Sequence, residues 1–170
     1  MSYRSLCAPK EATRRDLLLY RLRELTTKSS FDIYDALAVI EEIREPQIAC
    51  KYIFYLWLHE YYSLLKRNKN QGAFKVLREE LAPLTNSIGL FDQLKQAVIF
   101  LIIPNSQMME EKMKQVLQLL IQFNPFQVIG YFTEALQCHW EMEKPTILRM
   151  LIDGFKNYKE VVSEIPGLAE

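Results

Sequence analysis

Apolar residues recur every three or four positions through most of this chain, which is the spacing of an amphipathic α-helix. No segment keeps the two-residue alternation of a half-buried strand for more than a few residues. Prolines fall between the helical runs, where a residue without an amide hydrogen starts or ends a helix at little cost. The pattern therefore predicts about eight helices and no sheet.

The boundaries of the predicted helices follow from proline and capping residues, with loops of roughly two to five residues between them. The boundary residues are Ser29, Pro46, Pro83, Pro104, Ser106, Asn124, Pro125, Pro145 and Pro166. The first predicted helix covers residues 10–26, the second starts at Ser29, the third covers 46–66, and the fourth covers 71–81 and stops at Pro83. The fifth covers 87–103, the sixth starts near Ser106, the seventh covers 125–142 and the eighth covers 145–157, with a short terminal piece to 163.

Short loops between helices of this length force consecutive helices to pack antiparallel. The predicted fold class is therefore all-α: a single domain over residues 1–170, built from antiparallel helical hairpins as a bundle or a short α-solenoid. Residues 1–9 and 164–170 are predicted to be flexible ends. In the fifth helix we expect the buried face to be Leu90, Phe91, Leu94, Val98 and Leu101.

Composition narrows the class of protein. Of the 170 residues, 49% are hydrophobic, and 21 Lys and Arg balance 21 Asp and Glu. A domain that binds duplex nucleic acid or a membrane surface usually carries an excess of basic residues, so the balance argues against both as the default. Cys7, Cys50 and Cys138 lie far apart without metal-ligand spacing, and no segment resembles a signal peptide or a membrane span. We expect an intracellular protein of the cytoplasm or nucleus, with reduced thiols and no membrane partner.

The sequence contains no recognisable set of catalytic residues. The GxSxG, HExxH, GxGxxG and Walker motifs are absent. His139 follows Cys138, but neighbouring helical residues point about 100° apart and do not form a nucleophile and base pair. We expect His139 on the apolar face of its helix, with Glu143 one turn later accepting its proton. The sequence thus predicts a protein that is not an enzyme and has no cofactor or metal site.

The third predicted helix, 46–66, is apolar on nearly all sides and is expected to be the central helix. The residues of the expected core contact are Cys50, Ile53, Trp57, Tyr61 and Leu64. Another side carries the candidate partner-binding residues Tyr52, Tyr55, His59, Tyr62 and Lys66. Tyrosines suit a seam for a partner helix because they combine a large contact area with a polar tip. The alternative is that the protein's own second layer of helices covers this side.

Basic residues form two small clusters that suggest an alternative function. Arg14, Arg15, Arg21 and Arg23 lie on the first helix, and Lys66, Arg67 and Lys69 belong to the KRNKN loop. Nucleic-acid binding would require such clusters to merge, with aromatic residues between them. A helical adaptor that associates with nucleic acid through these clusters is therefore the alternative function, and solvated helix faces are the simpler interpretation.

The segment from Tyr52 to Phe91 resembles the CTLH motif and the start of the CRA region that follows it. The shared pattern is a long aromatic helix, a short basic loop and the spacing A-x-x-x-L-R-x-E-L-x-P-L, which here places Ala73, Leu77, Arg78, Glu80, Leu81, Pro83 and Leu84. Downstream, LLIQFNPF at residues 119–126 is similar to a helix corner in corepressor N-terminal domains. The resemblance implies a non-catalytic scaffold of ubiquitin-ligase or corepressor complexes that self-associates and receives short peptides in helical grooves.

The residues and the resemblance lead to the same class of function. We expect a non-catalytic protein-protein interaction domain that acts as an adaptor or scaffold subunit in an intracellular complex. Its expected partner is another protein, such as a peptide or helix held in a groove, and formation of a homo-oligomer is left open.

Overall fold

The computed structural model describes residues 10–102, 109–143, 151–152 and 154–156. Every regular element within these ranges is helical, which confirms the all-α prediction. The elements are α1 (Lys10–Thr27), α2 (Ile33–Ile43), α3 (Pro46–Lys66), α4 (Asn70–Val76), a π-helical turn (Leu77–Leu81), α5 (Ala82–Ile88), α6 (Phe91–Ile102), α7 (Met109–Gln122) and α8 (Pro125–Glu143). The predicted cap Ser106, most of the predicted helix 145–157 and both predicted flexible ends lie outside the described residues.

The chain divides into two units, Met1–Ala135 and Leu136–Glu170, and the boundary lies within α8. In the second unit, Nε2 of His139 lies 3.4 Å from Oε1 of Glu143, so the predicted contact between these two residues is confirmed. The His139 side chain keeps 38% of its surface exposed, however, so the residue is half-buried and is not the core histidine that a position on the apolar face of its helix led us to expect. The prediction that residues 1–170 form one domain stays a prediction.

α3 is the central element of the first unit, as predicted. It packs against α2, α4, the π-helical turn, α5, α6 and α7. Its buried residues are Ala49, Phe54, Leu56, Trp57, Leu58, Tyr61, Tyr62 and Leu65. At about 100° per residue these side chains cover roughly two thirds of the helix circumference. Of the expected core residues, Trp57 and Tyr61 are buried, and the other three are half-buried.

Two consecutive tyrosines of α3 attach α6 to the central helix. The buried hydroxyl of Tyr61 donates a hydrogen bond to the backbone carbonyl of Ala97. Tyr62 meets Phe100 edge to face, with ring centroids 5.8 Å apart. Burial raises the pKa of both tyrosines above its ordinary value, so both hydroxyls stay protonated. These contacts turn Ala97 and Phe100 of α6 toward the core.

We expect Tyr61→Phe to lower the free energy of unfolding by about 1 to 2 kcal/mol, because it removes a buried hydrogen bond while keeping the ring. Tyr62→Phe is the matched control, since the Tyr62 ring is equally buried but its hydroxyl has no hydrogen-bond partner among the described residues. Urea unfolding of the two variants measures the difference. Equal losses in both variants would contradict the role assigned to the bond with Ala97.

The start of α2 differs from the prediction. Asp32, not Ser29, is the N-cap: its side chain accepts a hydrogen bond of 2.8 Å from the backbone N–H of Tyr34. The carboxylate satisfies an amide at the helix start that would otherwise lack a partner. By contrast, the predicted cap of α8 is confirmed, because Oδ1 of Asn124 accepts a hydrogen bond of 3.0 Å from the N–H of Phe126.

Pro83 does not stop the fourth predicted helix. The chain widens into the π-helical turn, in which the N–H of Ala82 reaches back five residues to the carbonyl of Leu77, and then continues as α5. A proline inside an α-helix clashes with the carbonyl four residues earlier, and the wider turn relieves that clash. The helix ends instead at Gly89, whose φ of 74° is left-handed, so α6 begins at Phe91 rather than at residue 87.

We expect opposite effects from two Gly→Ala substitutions. Gly89→Ala places a side chain on left-handed backbone and should lower the free energy of unfolding by about 1 kcal/mol or more. Gly130→Ala lies within α8, where the added Cβ meets no atom within 4 Å apart from the adjacent residues and the backbone of the helix itself, and it should raise the free energy of unfolding by about 0.5 to 1 kcal/mol. Urea unfolding measures both. A lower free energy of unfolding in both variants would contradict the expectation that a side chain fits without strain at position 130.

Candidate functional site

The predicted partner-binding residues lie on the least buried side of α3, but aromatic residues of this chain cover part of that side. The ring of Tyr52 lies 5.3 Å from that of Phe132 on α8. The ring of Tyr55 stacks on Phe123, with centroids 5.4 Å apart and 18° between the planes. Burial is the main cause that raises the pKa of Tyr52. Both tyrosines are thus half-buried within the chain itself.

The other three predicted residues have three different environments. Tyr62 is only 1% exposed, so its assignment to a partner-binding surface is wrong. It lies at the border of its side of α3, where α6 covers it, and helical periodicity does not show where a neighbouring helix ends. Lys66 is exposed at the end of α3. His59 lines a cleft, so it is the predicted residue around which we describe a candidate site.

The cleft beside His59 has a volume of about 540 Å³. Three separate parts of the first unit form it: the last turns of α3, the residue before the α2 cap, and the start of α8. Its lining residues are Phe31, His59, Glu60, Ser63, Arg67, Asn124, Pro125 and Phe126. The rings of Phe31 and Phe126 meet edge to face, with centroids 5.9 Å apart, and give the cleft an apolar wall. The cleft thus combines an aromatic wall with polar side chains.

His59 keeps an unsatisfied nitrogen in this cleft. Its Nδ1 is shielded from solvent and has no hydrogen-bond partner in the part of the chain that the structure describes. Burial lowers the pKa of His59 below its ordinary value of 6.5, because protonation would put a charge into a poorly solvated place. A buried N–H without a partner is rarer than a buried acceptor without one, which favours the neutral tautomer that carries its hydrogen on Nε2. His59 then presents a donor to the cleft.

The charged pair of the cleft is loosely held. Nη2 of Arg67 lies 3.6 Å from Oε1 of Glu60, and the Nε of Arg67 donates to the backbone carbonyl of Ser63 at 3.4 Å. A charge-assisted hydrogen bond is normally about 2.7 to 2.9 Å long. The Arg67 side chain is also half exposed, so its guanidinium keeps donor capacity for another group.

The sequence did not indicate that Phe31, Asn124 and Phe126 share a site with His59, because these residues are far apart along the chain. The Asn-Pro pair at 124 and 125 predicted a helix start, but a capping signal does not say which other element the start will contact. Only the packing of α2 and α8 around the end of α3 brings these residues together.

A second surface of the first unit is an apolar groove on α6, with a volume of about 340 Å³. Its lining residues are Phe91, Leu94, Lys95, Val98 and Ile99. Three of them, Phe91, Leu94 and Val98, belong to the face that the sequence predicted to be buried. That prediction is wrong for Phe91, which is exposed, whereas the other four residues of the predicted face are half-buried. α6 is apolar on two faces, and the core takes the face of Ala97 and Phe100. Periodicity shows that a face is apolar but not whether another helix covers it.

Two basic residues of α1 form contacts with Glu42 of α2. Nη1 of Arg21 lies 2.6 Å from Oε2 of Glu42, and Nη2 of Arg14 donates to the backbone carbonyl of Glu42, also at 2.6 Å. Two of the four arginines that the sequence singled out therefore hold α1 against α2. This arrangement gives them a structural explanation that does not involve a partner.

Comparison with protein-family models, curated proteins and solved structures finds no match to this chain. Within the described ranges, no helix is both long and apolar enough to cross a membrane. The candidate sites therefore stand on the geometry of the chain itself.

We expect the stability of the protein to fall as the pH decreases below about 6.5, partly because of His59. Its pKa in the folded state is lowered, so the unfolded chain binds a proton at His59 at a pH where the folded chain does not. That difference stabilises the folded state above the ordinary pKa, and part of this stability is lost as the pH falls toward the lowered value. Urea unfolding between about pH 7.5 and 5.5 measures the effect.

His59→Gln should flatten this dependence, because glutamine does not titrate. The two proteins differ only at position 59, so the difference between their pH profiles isolates the contribution of His59. An unchanged dependence of the free energy of unfolding on pH in His59→Gln would contradict the prediction.

Proposed function

We propose that this chain is a non-catalytic protein-protein interaction domain that acts as an adaptor or scaffold subunit of an intracellular complex. The observation that carries the proposal is the apolar groove on α6. Phe91 is 50% exposed, Ile99 is 55% exposed and Ile102, on the same helix, is 69% exposed. Soluble monomeric domains rarely leave a contiguous apolar patch of large side chains in water, and such patches commonly mark interaction sites.

The shape and charge of the groove favour an amphipathic partner helix. Phe91, Leu94, Val98, Ile99 and Ile102 follow the three- and four-residue spacing along which two helices pack. Lys95 lies in the wall of the groove and has no ion-pair partner among the described residues. A partner helix with an apolar face and a carboxylate opposite Lys95 would satisfy both features. The resemblance to CTLH and CRA segments supports the same class of function.

The alternative, association with nucleic acid through α1 and the KRNKN loop, has less support. Arg14 and Arg21 already contact Glu42, and Arg67 lies near Glu60. The two functions differ in their dependence on salt. An apolar helix interface should change little in affinity between about 50 and 200 mM salt, whereas six or more phosphate contacts would cost about a thousandfold.

We expect Ile99→Asp to reduce the recovery of protein partners by about tenfold or more, because it places a negative charge in the apolar lining of the groove. Tagged wild-type and variant chains are used to capture partners from cell lysate, and the captured proteins are quantified. Ile99 is exposed, so the melting temperature should stay within a few degrees of the wild-type value.

Ile121→Asp is the matched control, since Ile121 is 73% exposed on α7 and the substitution is the same. It should retain the partners that Ile99→Asp loses. A photo-cross-linking phenylalanine analogue in place of Phe91 then identifies the class of the partner directly. Equal capture of partners by the wild type, Ile99→Asp and Ile121→Asp would contradict the proposed function. Cross-links from position 91 to nucleic acid alone would also contradict it.

A further inference from the structure

We propose that the cleft beside His59 binds an oxyanion carried on an aromatic ring, as in an aryl phosphate or an aryl carboxylate. The cleft shares no lining residue with the α6 groove. The proposal therefore goes beyond the proposed interaction function and does not depend on it.

Unused hydrogen-bond donors are the first reason for this ligand. The hydroxyl of Ser63 and the Nε2 of His59 have no hydrogen-bond partner among the described residues. Asn124 uses its side-chain oxygen to cap α8, which leaves its amide hydrogens as donors. Donors that line one cleft without partners in the protein call for a ligand rich in acceptors, and an oxyanion offers several acceptor sites on one group.

Arg67 supplies the charge that distinguishes an oxyanion from a neutral acceptor. Its contact with Glu60 measures 3.6 Å, whereas Arg21 and Glu42 approach to 2.6 Å. A guanidinium in such a loose contact can turn its planar fork toward an incoming carboxylate or phosphate. Glu60 is the carboxylate that lines the cleft, so the lining side chains carry one charge of each sign. Arg67 is the cationic side chain of that lining, and its loose contact with Glu60 leaves it available to an anion.

The wall formed by Phe31 and Phe126 is the reason for an aromatic ring on the ligand. Aromatic rings pack favourably in edge-to-face and offset geometries at centroid distances of about 4.5 to 7 Å, and the two phenylalanines already adopt such a contact. The cleft volume of about 540 Å³ falls within the roughly 300 to 1,000 Å³ of small-molecule sites. A bare inorganic anion would leave both the wall and most of this volume unused.

The experiment is a titration of the full chain followed through the histidine ring signals in ¹H–¹⁵N spectra. The chain has two histidines, so the spectrum of His59→Gln assigns the His59 signals. Phenyl phosphate and benzoate are the two probes, and they separate phosphate from carboxylate as the source of the oxyanion. Inorganic phosphate and benzyl alcohol each lack one half of the proposed ligand. We expect at least one probe to shift the His59 signals in a saturable manner, and to bind about tenfold more tightly than either control.

Arg67→Gln and Lys69→Gln form a matched pair, because each removes one positive charge from the same loop and Lys69 does not line the cleft. We expect Arg67→Gln to weaken the binding of the better probe by about tenfold or more, and Lys69→Gln to weaken it by less than about threefold. Arg67 is half exposed, so the variant should fold, and its melting temperature checks this.

Four results would overturn the proposal. They are the absence of saturable binding by both probes, binding of inorganic phosphate or benzyl alcohol as tight as that of the probes, equal losses in Arg67→Gln and Lys69→Gln, and binding that leaves the His59 ring signals unchanged. Tighter binding of phenyl phosphate or of benzoate, with loss in Arg67→Gln alone, supports it and identifies the anion.

Discussion

The burial of α3 around most of its circumference is the constraint on which the rest of the first unit depends. A helix that carries Phe54, Trp57, Tyr61 and Tyr62 on different sides needs neighbours on each of those sides. Fully burying one such side chain contributes roughly 1.5 to 3 kcal/mol, which is large against the roughly 5 to 15 kcal/mol that stabilises a typical domain. The surrounding helices are therefore arranged according to which side of α3 each one covers.

The contact between α3 and α6 shows how this constraint also creates a surface. The hydroxyl of Tyr61 needs an acceptor and finds it in the backbone of Ala97. Close approach of the two helices is possible at Ala97 because its side chain is small, and Phe100 then covers Tyr62. Since α6 is apolar on two faces, this choice leaves the other face, with Ile99, in water. The free energy that would be gained by removing this face from water is not gained within the described part of the chain, and it can instead be gained by binding a partner.

The least buried side of α3 gives rise to the cleft in a similar way. The start of α8 and the chain before α2 approach this side, but they do not fill it around His59. A buried nitrogen without a hydrogen-bond partner costs about 1 to 3 kcal/mol, and Nδ1 of His59 is such a nitrogen among the described residues. The lowered pKa of His59 keeps that ring neutral, so the positive charge of the cleft comes from Arg67.

Local pattern was enough to predict the helical class, the length of α3, the Asn124 cap and the contact between His139 and Glu143, because each depends on periodicity, a capping side chain or a spacing of one helical turn. It could not determine that Pro83 is absorbed by a π-helical turn, that Tyr62 is covered, or which apolar face of α6 is buried. The sequence pattern also could not predict the cleft, since Phe31, His59 and Asn124 are distant along the chain. Those features were decided by the tertiary structure, because they depend on which helix packs against which side of α3, and local spacing carries no information about that choice.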